Sequence, residues 1–245
     1  MRTFEKVSNP SLRGLIAERI RQAILDGRLA EGERLVERKL AQEFGASLTA
    51  VREALVELES DGFIAKLPNS ATHVVRLSVE DAEKIVSVRE VLEGYAVSEA
   101  ARNAGPAEMQ CLVTLWGEII TAAQSGDLRR VLQKDLALHE TIWQIARNEP
   151  LVASLRRIVL VFYAFLAIRL RELANQELVE CAESNLPLLS GIYSKDPDMA
   201  RAGLGYSLGK WFAKARLAVT PANQQRQEAG VLSWPVKSLA LKAGG

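Results

Sequence analysis

Apolar residues in the first 77 positions recur at short helical intervals and then switch to alternation. Ile16, Ile20 and Ile24 are four residues apart, which predicts a first helix. Two more short helices and a small hairpin follow, and this order is the outline of a winged helix-turn-helix. The predicted helix stops are Asp26-Gly27, Gly45 and Asp61-Gly62, and the predicted hairpin strands are residues 63–66 and 72–77.

After Leu77 the apolar spacing is helical almost throughout. Ser78 is predicted to cap the first long helix, because the acidic residues Glu80 and Asp81 follow in its first turn. Breaks rich in Gly, Asn and Pro divide the rest into helices of about 18 to 25 residues, typical of an antiparallel bundle of six or seven helices. These breaks are Gly105-Pro106, Gly126-Asp127, Asn148-Glu149-Pro150, Ala174-Asn175 and Lys195-Asp196-Pro197.

These patterns predict a mainly α protein with two domains and a tail. Residues 1–77 form the winged domain, and residues 78–220 form an all-helical domain. Residues 221–245 are polar and irregular, and we expect a weakly ordered tail there. The apolar run 158–168 spans roughly 16 Å as a helix, about half of a hydrocarbon layer, so it predicts a buried core helix rather than a membrane span.

Composition limits the chemistry of this 245-residue chain. Its 48% apolar content can supply a core, and a net charge of +1 argues against nucleic-acid binding by bulk positive charge. Two histidines and two cysteines exclude a cysteine-rich zinc module and a disulfide scaffold. The first residues lack an apolar signal region, which favours a cytoplasmic location.

Residues 32–55 carry the pattern of a DNA-reading element: a short helix, a glycine turn, and a second helix with small or hydroxylated residues at its start. Such a start can enter the major groove. Thr49 and Arg52 share the outward face of the second helix, and Arg38 opens the preceding one. The alternative is that Arg38 and Arg52 form surface ion pairs with Glu37 or other nearby glutamates.

Residues 11–77 resemble the winged helix-turn-helix of the GntR family of bacterial transcription regulators. The resemblance rests on Gly32-Glu33-Arg34-Leu35, Leu40-Ala41 and Val51-Arg52-Glu53-Ala54-Leu55. It implies that DNA is contacted by Arg38, Ser47, Thr49 and Arg52.

Two positions depart from the family pattern. Leu48 stands where the family often has an arginine that reads guanine, and Ser70-Ala71 stand where the wing often has Arg-Gly. A bidentate arginine contributes ~1–3 kcal/mol of base discrimination. We therefore expect an operator that differs from the usual family half-site, with Leu48 touching a thymine methyl group.

Asp135 and His139 are four residues apart and project from one helix face. In isolation such a pair is either a carboxylate that orients a histidine or part of a metal site. Residues 135–148 and the helix around Arg89 resemble the FCD effector domain of the FadR subfamily, many members of which hold a divalent metal with one aspartate and three histidines. That resemblance implies a pocket that binds a small effector.

The metal ligands are only half present in this sequence. Asp135 and His139 match the first two, but Asn185 and Ser207 align with the other two, and these neutral oxygens are weak ligands for zinc or nickel. A tightly held transition metal is therefore disfavoured, although a hard, hydrated ion is not excluded. Arg89 matches a pocket arginine suited to a carboxylate, the alternative being an ion pair with Glu93. Asn185, Ser207 and Tyr206 are candidate neutral hydrogen-bonding groups.

The sequence thus predicts a cytoplasmic, homodimeric, ligand-responsive regulator, and a repressor rather than an activator. It binds an inverted-repeat operator in double-stranded DNA and responds to a small carboxylate or polar metabolite. One alternative is a metal-dependent or acid-base enzyme built on Asp135 and His139, although no nucleophile with a positioned base is visible. The other is an architectural DNA-binding protein without an effector.

Overall fold

The computed structural model describes residues 11–66 and 71–218, which fall into two compact units. The first unit ends at Val75 and the second begins at Arg76. The predicted turn Pro68-Asn69-Ser70 and the predicted tail at 221–245 lie outside the described residues. Each unit is described by itself.

The described residues of the first unit form three helices and a three-stranded antiparallel sheet with strand order β1-β3-β2. Helix α1 packs on α3 through buried residues that include Ile20 and Leu58. Gly45 has a φ of 59° and ends α2 in the left-handed conformation that favours glycine, as predicted. The elements are α1 (Leu12–Leu25), β1 (Arg34–Leu35), α2 (Glu37–Phe44), α3 (Leu48–Ser60), β2 (Ile64–Lys66) and β3 (Thr72–Val74).

Strand β1 was not predicted from the sequence. It has only two residues, of which Leu35 alone is buried, so no alternation marks it as a strand. Arg34 pairs with His73 and Leu35 with Thr72 of β3. This pairing ties the segment before α2 to the hairpin.

The second unit contains seven helices among the described residues, within the predicted six or seven. Ser78 caps α4 as predicted, its hydroxyl accepting from the Asp81 N–H at 3.0 Å. Helix α4 packs against α6, α7, α9 and α10 and forms the centre of the bundle. The helices are α4 (Val79–Asn103), α5 (Pro106–Gln124), α6 (Leu128–Ile145), α7 (Glu149–Arg169), α8 (Asn175–Glu183), α9 (Leu186–Tyr193) and α10 (Pro197–Leu217).

The predicted helix lengths were wrong between residues 175 and 195, where two short helices replace one long helix. Helix α8 has 9 residues and α9 has 8, with Ser184 and Asn185 between them. Pro187 lies in the first turn of α9. Proline lacks an N–H and is tolerated at a helix start but not in its interior, so it fixes the break here.

The apolar run at 158–168 lies inside α7, whose 21 residues are long and apolar enough to cross a membrane by length and composition alone. The helix is therefore longer than the run suggested. Its most apolar window is 61% buried inside the bundle, against α4 and α6 in particular. Burial on several sides explains the composition of α7 as that of a core helix.

Candidate functional sites: a DNA-reading face and a buried polar cluster

The exposed start of α3 carries the side chains predicted to read DNA. Ser47 caps the helix by accepting from the Ala50 N–H at 3.2 Å. Leu48 is 39% exposed, and Thr49 and Arg52 are also exposed. Val51 and Leu55 point into the core and hold the helix in this orientation. The structure therefore brings the candidate DNA contacts of α3 onto one surface.

Arg52 also forms the ion pair considered from the sequence. Its Nε donates to Oε2 of Glu37 on α2 at 2.7 Å. The two side chains are 62% and 28% exposed, and exposed pairs contribute only ~0–1 kcal/mol. Because the pair is this weak, the Arg52 guanidinium can exchange Glu37 for another partner, so the ion pair and the predicted DNA contact are compatible.

A groove of about 650 Å³ lies between the sheet and the start of α2. Its lining includes Arg34, Arg38 and Lys66, and none of these cations has an ion-pair partner among the residues that the structure describes. Unpaired cations beside a reading helix are suited to phosphate oxygens. Arg38 was predicted from the sequence, whereas Arg34 and Lys66 were not, because only the β1-β3-β2 pairing brings their strands together.

The helical unit holds a second group of functional residues, which forms a buried polar cluster. Its charged and polar side chains come from four different helices and from the α8–α9 junction, and each is at most 2% exposed. Five of the six effector candidates named from the sequence belong to it, all except Tyr206, so the fold brings together positions up to 118 residues apart. The members are Arg89 and Glu93 (α4), Asp135 and His139 (α6), Tyr163 (α7), Asn185 (junction) and Ser207 (α10).

Arg89 and Glu93 form a buried ion pair at one end of this cluster. Nε of Arg89 donates to Oε1 of Glu93 at 2.5 Å, so the alternative considered from the sequence is realised. Trp143 Nε1 donates to the other oxygen, Oε2, at 3.2 Å. Nδ1 of His139 also lies 2.9 Å from Oε2, an ion-pair distance, but outside the alignment of a hydrogen bond.

Burial opposes ionisation of Glu93, but Arg89 and His139 outweigh it and lower the pKa of the carboxyl to about 2. Burial likewise lowers the pKa of Arg89, whereas Glu93 raises it, and the net direction is upward. Both groups are therefore charged at neutral pH. The guanidinium also lies over the rings of Phe162 and Tyr163, 4.9 Å and 5.7 Å from their centres.

Asp135 is held by neutral donors at the other end of the cluster. Tyr163 OH donates to its Oδ2 at 2.5 Å, and Asn185 Nδ2 donates to its Oδ1 at 2.5 Å. Asn185 Oδ1 accepts from Ser207 Oγ at 2.7 Å, and the Ser184 hydroxyl lies 3.1 Å from that of Ser207. Burial and Asp135 raise the pKa of Tyr163 well above its ordinary value, so its hydroxyl stays protonated.

These residues do not fit the transition metal that the family resemblance implies. Nε2 of His139 lies 3.9 Å from Oδ2 of Asp135, and no third histidine, cysteine or carboxylate joins them in a metal-binding group within 11–66 and 71–218. Asn185 turns its NH₂ group, not its oxygen, towards Asp135. A cation beside Asp135 would face the NH₂ group of Asn185 instead of a ligand oxygen, so these residues are not suited to hold a transition metal.

Tyr163 and Ser184 were not predicted from the sequence as members of the cluster, and Tyr206 lies outside it. Tyr163 lies in the most apolar run of the chain, where an aromatic residue is typical of core packing. Its only distinguishing signal is a hydroxyl that needs a partner when buried. Tyr206 is 52% exposed and lies under Nζ of Lys210, so it does not join the cluster.

Comparison with known proteins identifies both units. The model of the gntR family of bacterial regulatory proteins matches residues 12–74, and the FCD domain model matches residues 84–208. The "Probable D-xylose utilization operon transcriptional repressor" of Paenarthrobacter nicotinovorans is 25% identical over 85% of this chain and 91% of its own length. The transcriptional regulator McbR of Escherichia coli is 25% identical over 80% of this chain and 89% of its own length.

Solved structures share the fold. E. coli McbR/YncC superposes with a TM-score of 0.78 at 24% identity and covers 85% of this chain and 99% of its own. A GntR-type regulator from Rhodococcus sp. RHA1 superposes with a TM-score of 0.74 at 19% identity, covering 86% of this chain and 100% of its own. This chain therefore belongs to the gntR family of bacterial regulatory proteins, with an FCD domain, and is a DNA-binding transcription regulator rather than an enzyme.

Proposed function

We propose that this regulator is a cytoplasmic homodimer that represses transcription from an inverted-repeat operator until a small carboxylate or polar metabolite binds in the buried polar cluster. One observation carries the effector part. Arg89 is 2% exposed and donates only through Nε, so Nη1 and Nη2 have no hydrogen bond to any described residue. Two parallel N–H donors on a planar guanidinium match the geometry of a carboxylate.

The homodimer is supported by an exposed apolar face on α4. Val88, Val91 and Tyr95 are 43%, 71% and 51% exposed and lie on one side of the helix. Antiparallel pairing of two α4 helices, centred between Val91 and Leu92, sets Val88 opposite Tyr95 and Lys84 opposite Glu99. The exposed apolar side chains of the face would therefore meet one another across a two-fold axis, as an isologous interface requires.

Val91→Glu tests this interface, because it places a charge at the centre of the pairing. We expect the wild-type chain to elute as a dimer in size-exclusion chromatography with light scattering, and the variant as a monomer. Val56→Glu is the matched control, since Val56 is 64% exposed on α3 of the other unit. A dimeric Val91→Glu variant would contradict this interface, and a monomeric wild type would contradict the homodimer itself.

The repressor assignment is supported by the Paenarthrobacter relative, which is named a transcriptional repressor. In the proposed mechanism, the effector favours one arrangement of the dimer over another. A differential affinity of ~1–3 kcal/mol between two arrangements would change operator occupancy about 5- to 150-fold. A reporter gene behind a selected operator should be silent with the regulator and active without it, and the reverse result would identify an activator.

Selection of bound DNA from a random pool tests the operator. We expect an inverted repeat whose half-site lacks the guanine that the family arginine reads, because Leu48 cannot donate hydrogen bonds. Enrichment of one unrepeated half-site would contradict dimeric reading. Recovery of the common family half-site would contradict the role given to Leu48, and no enrichment at all would indicate an architectural protein.

A further inference from the structure

The ion pair of Arg52 with Glu37 joins the two helices of the DNA-reading element. Nε of Arg52 on α3 donates to Oε2 of Glu37, the first residue of α2, at 2.7 Å. No hydrogen bond joins Nη1 or Nη2 of Arg52 to another described residue, and the side chain is 62% exposed. The inner nitrogen of the guanidinium is therefore held by the protein, whereas its outer pair of donors is available to a ligand.

Arg52 can contact DNA in two ways. It can leave Glu37 and bind a phosphate, or it can keep Glu37 and present Nη1 and Nη2 to the edge of a base. A phosphate contact is the same for every sequence, whereas two parallel N–H donors match O6 and N7 of guanine in the major groove. The fate of the ion pair thus decides whether Arg52 reads sequence.

The groove beside the start of α2 favours the second way. Glu37 is the one acidic residue among the described residues that line this groove. Three cations that line it as well can bind phosphates without Arg52, and these are Arg34, Arg38 and Lys66. If Arg52 left, Glu37 would face the phosphates of bound DNA without its ion-pair partner, and such a meeting of like charges is unfavourable. Bound DNA also excludes water from the pair, which strengthens the attraction between its charges.

We propose that Glu37 is a positioning residue for sequence recognition: it keeps the outer nitrogens of Arg52 turned towards the bases, so that Arg52 reads one guanine in each operator half-site. This guanine is distinct from the one that the family arginine reads and that Leu48 cannot. The inference rests on the operator binding in the proposed function, because it names how one residue of the DNA-reading face selects its base. It does not involve the effector.

Fluorescence anisotropy of the full-length protein with the selected operator tests this role. Each G·C pair of the half-site is replaced in turn by A·T, and a random duplex is measured beside the series. For the wild type, we expect one guanine whose replacement lowers the affinity about 5- to 150-fold, the range for one bidentate contact. For Glu37→Gln, the same replacement should cost less than about 5-fold, because a neutral amide holds Nε more weakly and Arg52 can turn to a phosphate.

Binding to the random duplex gives a second readout, which a purely structural role of the ion pair would not produce. Glu37→Gln should bind this duplex more tightly than the wild type does, with a slope of log K against log salt that is steeper by about 1. Glu43→Gln is the matched control, because Glu43 also lies on α2 and its pairing with Lys39 at 3.7 Å stays within that helix. It removes the same charge but should leave the guanine preference unchanged.

A double-mutant cycle with Arg52→Ala shows whether Glu37 acts through Arg52. Once Arg52 is replaced, Glu37→Gln should have no further effect on the guanine preference. A full guanine preference in Glu37→Gln, or an equal weakening of the operator and the random duplex, would overturn the proposal. If Arg52→Ala keeps every base preference, the proposal also fails, but operator binding stands. If Arg52→Ala in addition keeps its affinity for every duplex, the DNA-reading face itself is contradicted.

Discussion

The close crossing of α9 and α10 gives a sharp test of how the polar cluster is held together. The Cβ of an alanine at Gly203 would lie 2.2 Å from the Leu188 backbone nitrogen and 2.6 Å from its Cα. Ordinary non-bonded contacts between such atoms are about 3.5–4.0 Å. Gly203→Ala therefore forces the two helices apart by about 1 Å or more, because the obstruction is backbone and cannot rotate away.

The expected cost follows from three effects. Overpacking of this kind costs ~1–3 kcal/mol, and alanine recovers up to ~1 kcal/mol through its better helix propensity. One turn further along the crossing, Ser207 donates to Asn185 at 2.7 Å, and separation of the helices breaks this buried hydrogen bond at a further ~1–3 kcal/mol. Gly203→Ala should thus lower the free energy of unfolding by roughly 3 kcal/mol.

Urea denaturation followed by circular dichroism, at a fixed protein concentration, measures this change. Gly205→Ala is the matched control, because Gly205 lies on the same helix and a Cβ there meets no atom within 4 Å. The control should gain up to ~1 kcal/mol from propensity alone. If Gly203→Ala proves as stable as Gly205→Ala, the tight crossing and its role in positioning Asn185 are refuted.

Three further predictions concern acid stability and DNA contact. The pKa of Glu93 is about 2 in the folded protein against an ordinary value of 4.5, so its contribution to the free energy of unfolding is complete above pH 4.5 and is lost as the pH falls towards 2. In acid titrations of unfolding across that window, the wild type should lose roughly 3 kcal/mol more stability than Glu93→Gln. Equal losses would contradict the pairing of Glu93 with Arg89. Lys66→Ala should weaken binding to all DNA sequences similarly and reduce the slope of log K against log salt by about 1. Arg19→Ala, at an exposed position of α1, should leave that slope unchanged. Equal slopes for the two variants would exclude the groove as a phosphate site. Leu48→Arg should introduce a preferred guanine into the selected half-site with ~1–3 kcal/mol of discrimination, and an unchanged site would show that position 48 does not read bases.

Local signals in the sequence were sufficient for most of the fold. Ser47 and Ser78 were recognisable as caps, and Gly45 as a helix stop, because capping and left-handed turns depend on a few neighbouring residues. Strand β1 escaped prediction because two residues carry no periodicity. The α8–α9 break escaped prediction because it depends on one residue, Pro187, within an otherwise apolar segment.

The candidate sites depended more on tertiary structure. Asp135 and His139 could be paired from their spacing, and Asn185 and Ser207 were located only through the family resemblance. Tyr163 could not be found, since nothing local distinguishes a hydrogen-bonded tyrosine from a packed one. The ion pair of Arg89 with Glu93 was one of two alternatives, and in the structure Nε serves this pair while no hydrogen bond joins the outer nitrogens to another described residue.

The central claim is that a small ligand bound at Arg89 changes how the regulator occupies its operator. The most direct measurement is fluorescence anisotropy of the selected operator with wild type and with Arg89→Lys, each titrated with the small carboxylate or polar metabolite that binds the wild type most tightly. We predict that the ligand lowers the affinity of the wild type for the operator by 5-fold or more and so releases the DNA. Arg89→Lys should bind the same DNA in the absence of ligand but should not release it, because lysine lacks the planar pair of donors. Equal ligand-driven release from both proteins would contradict the claim.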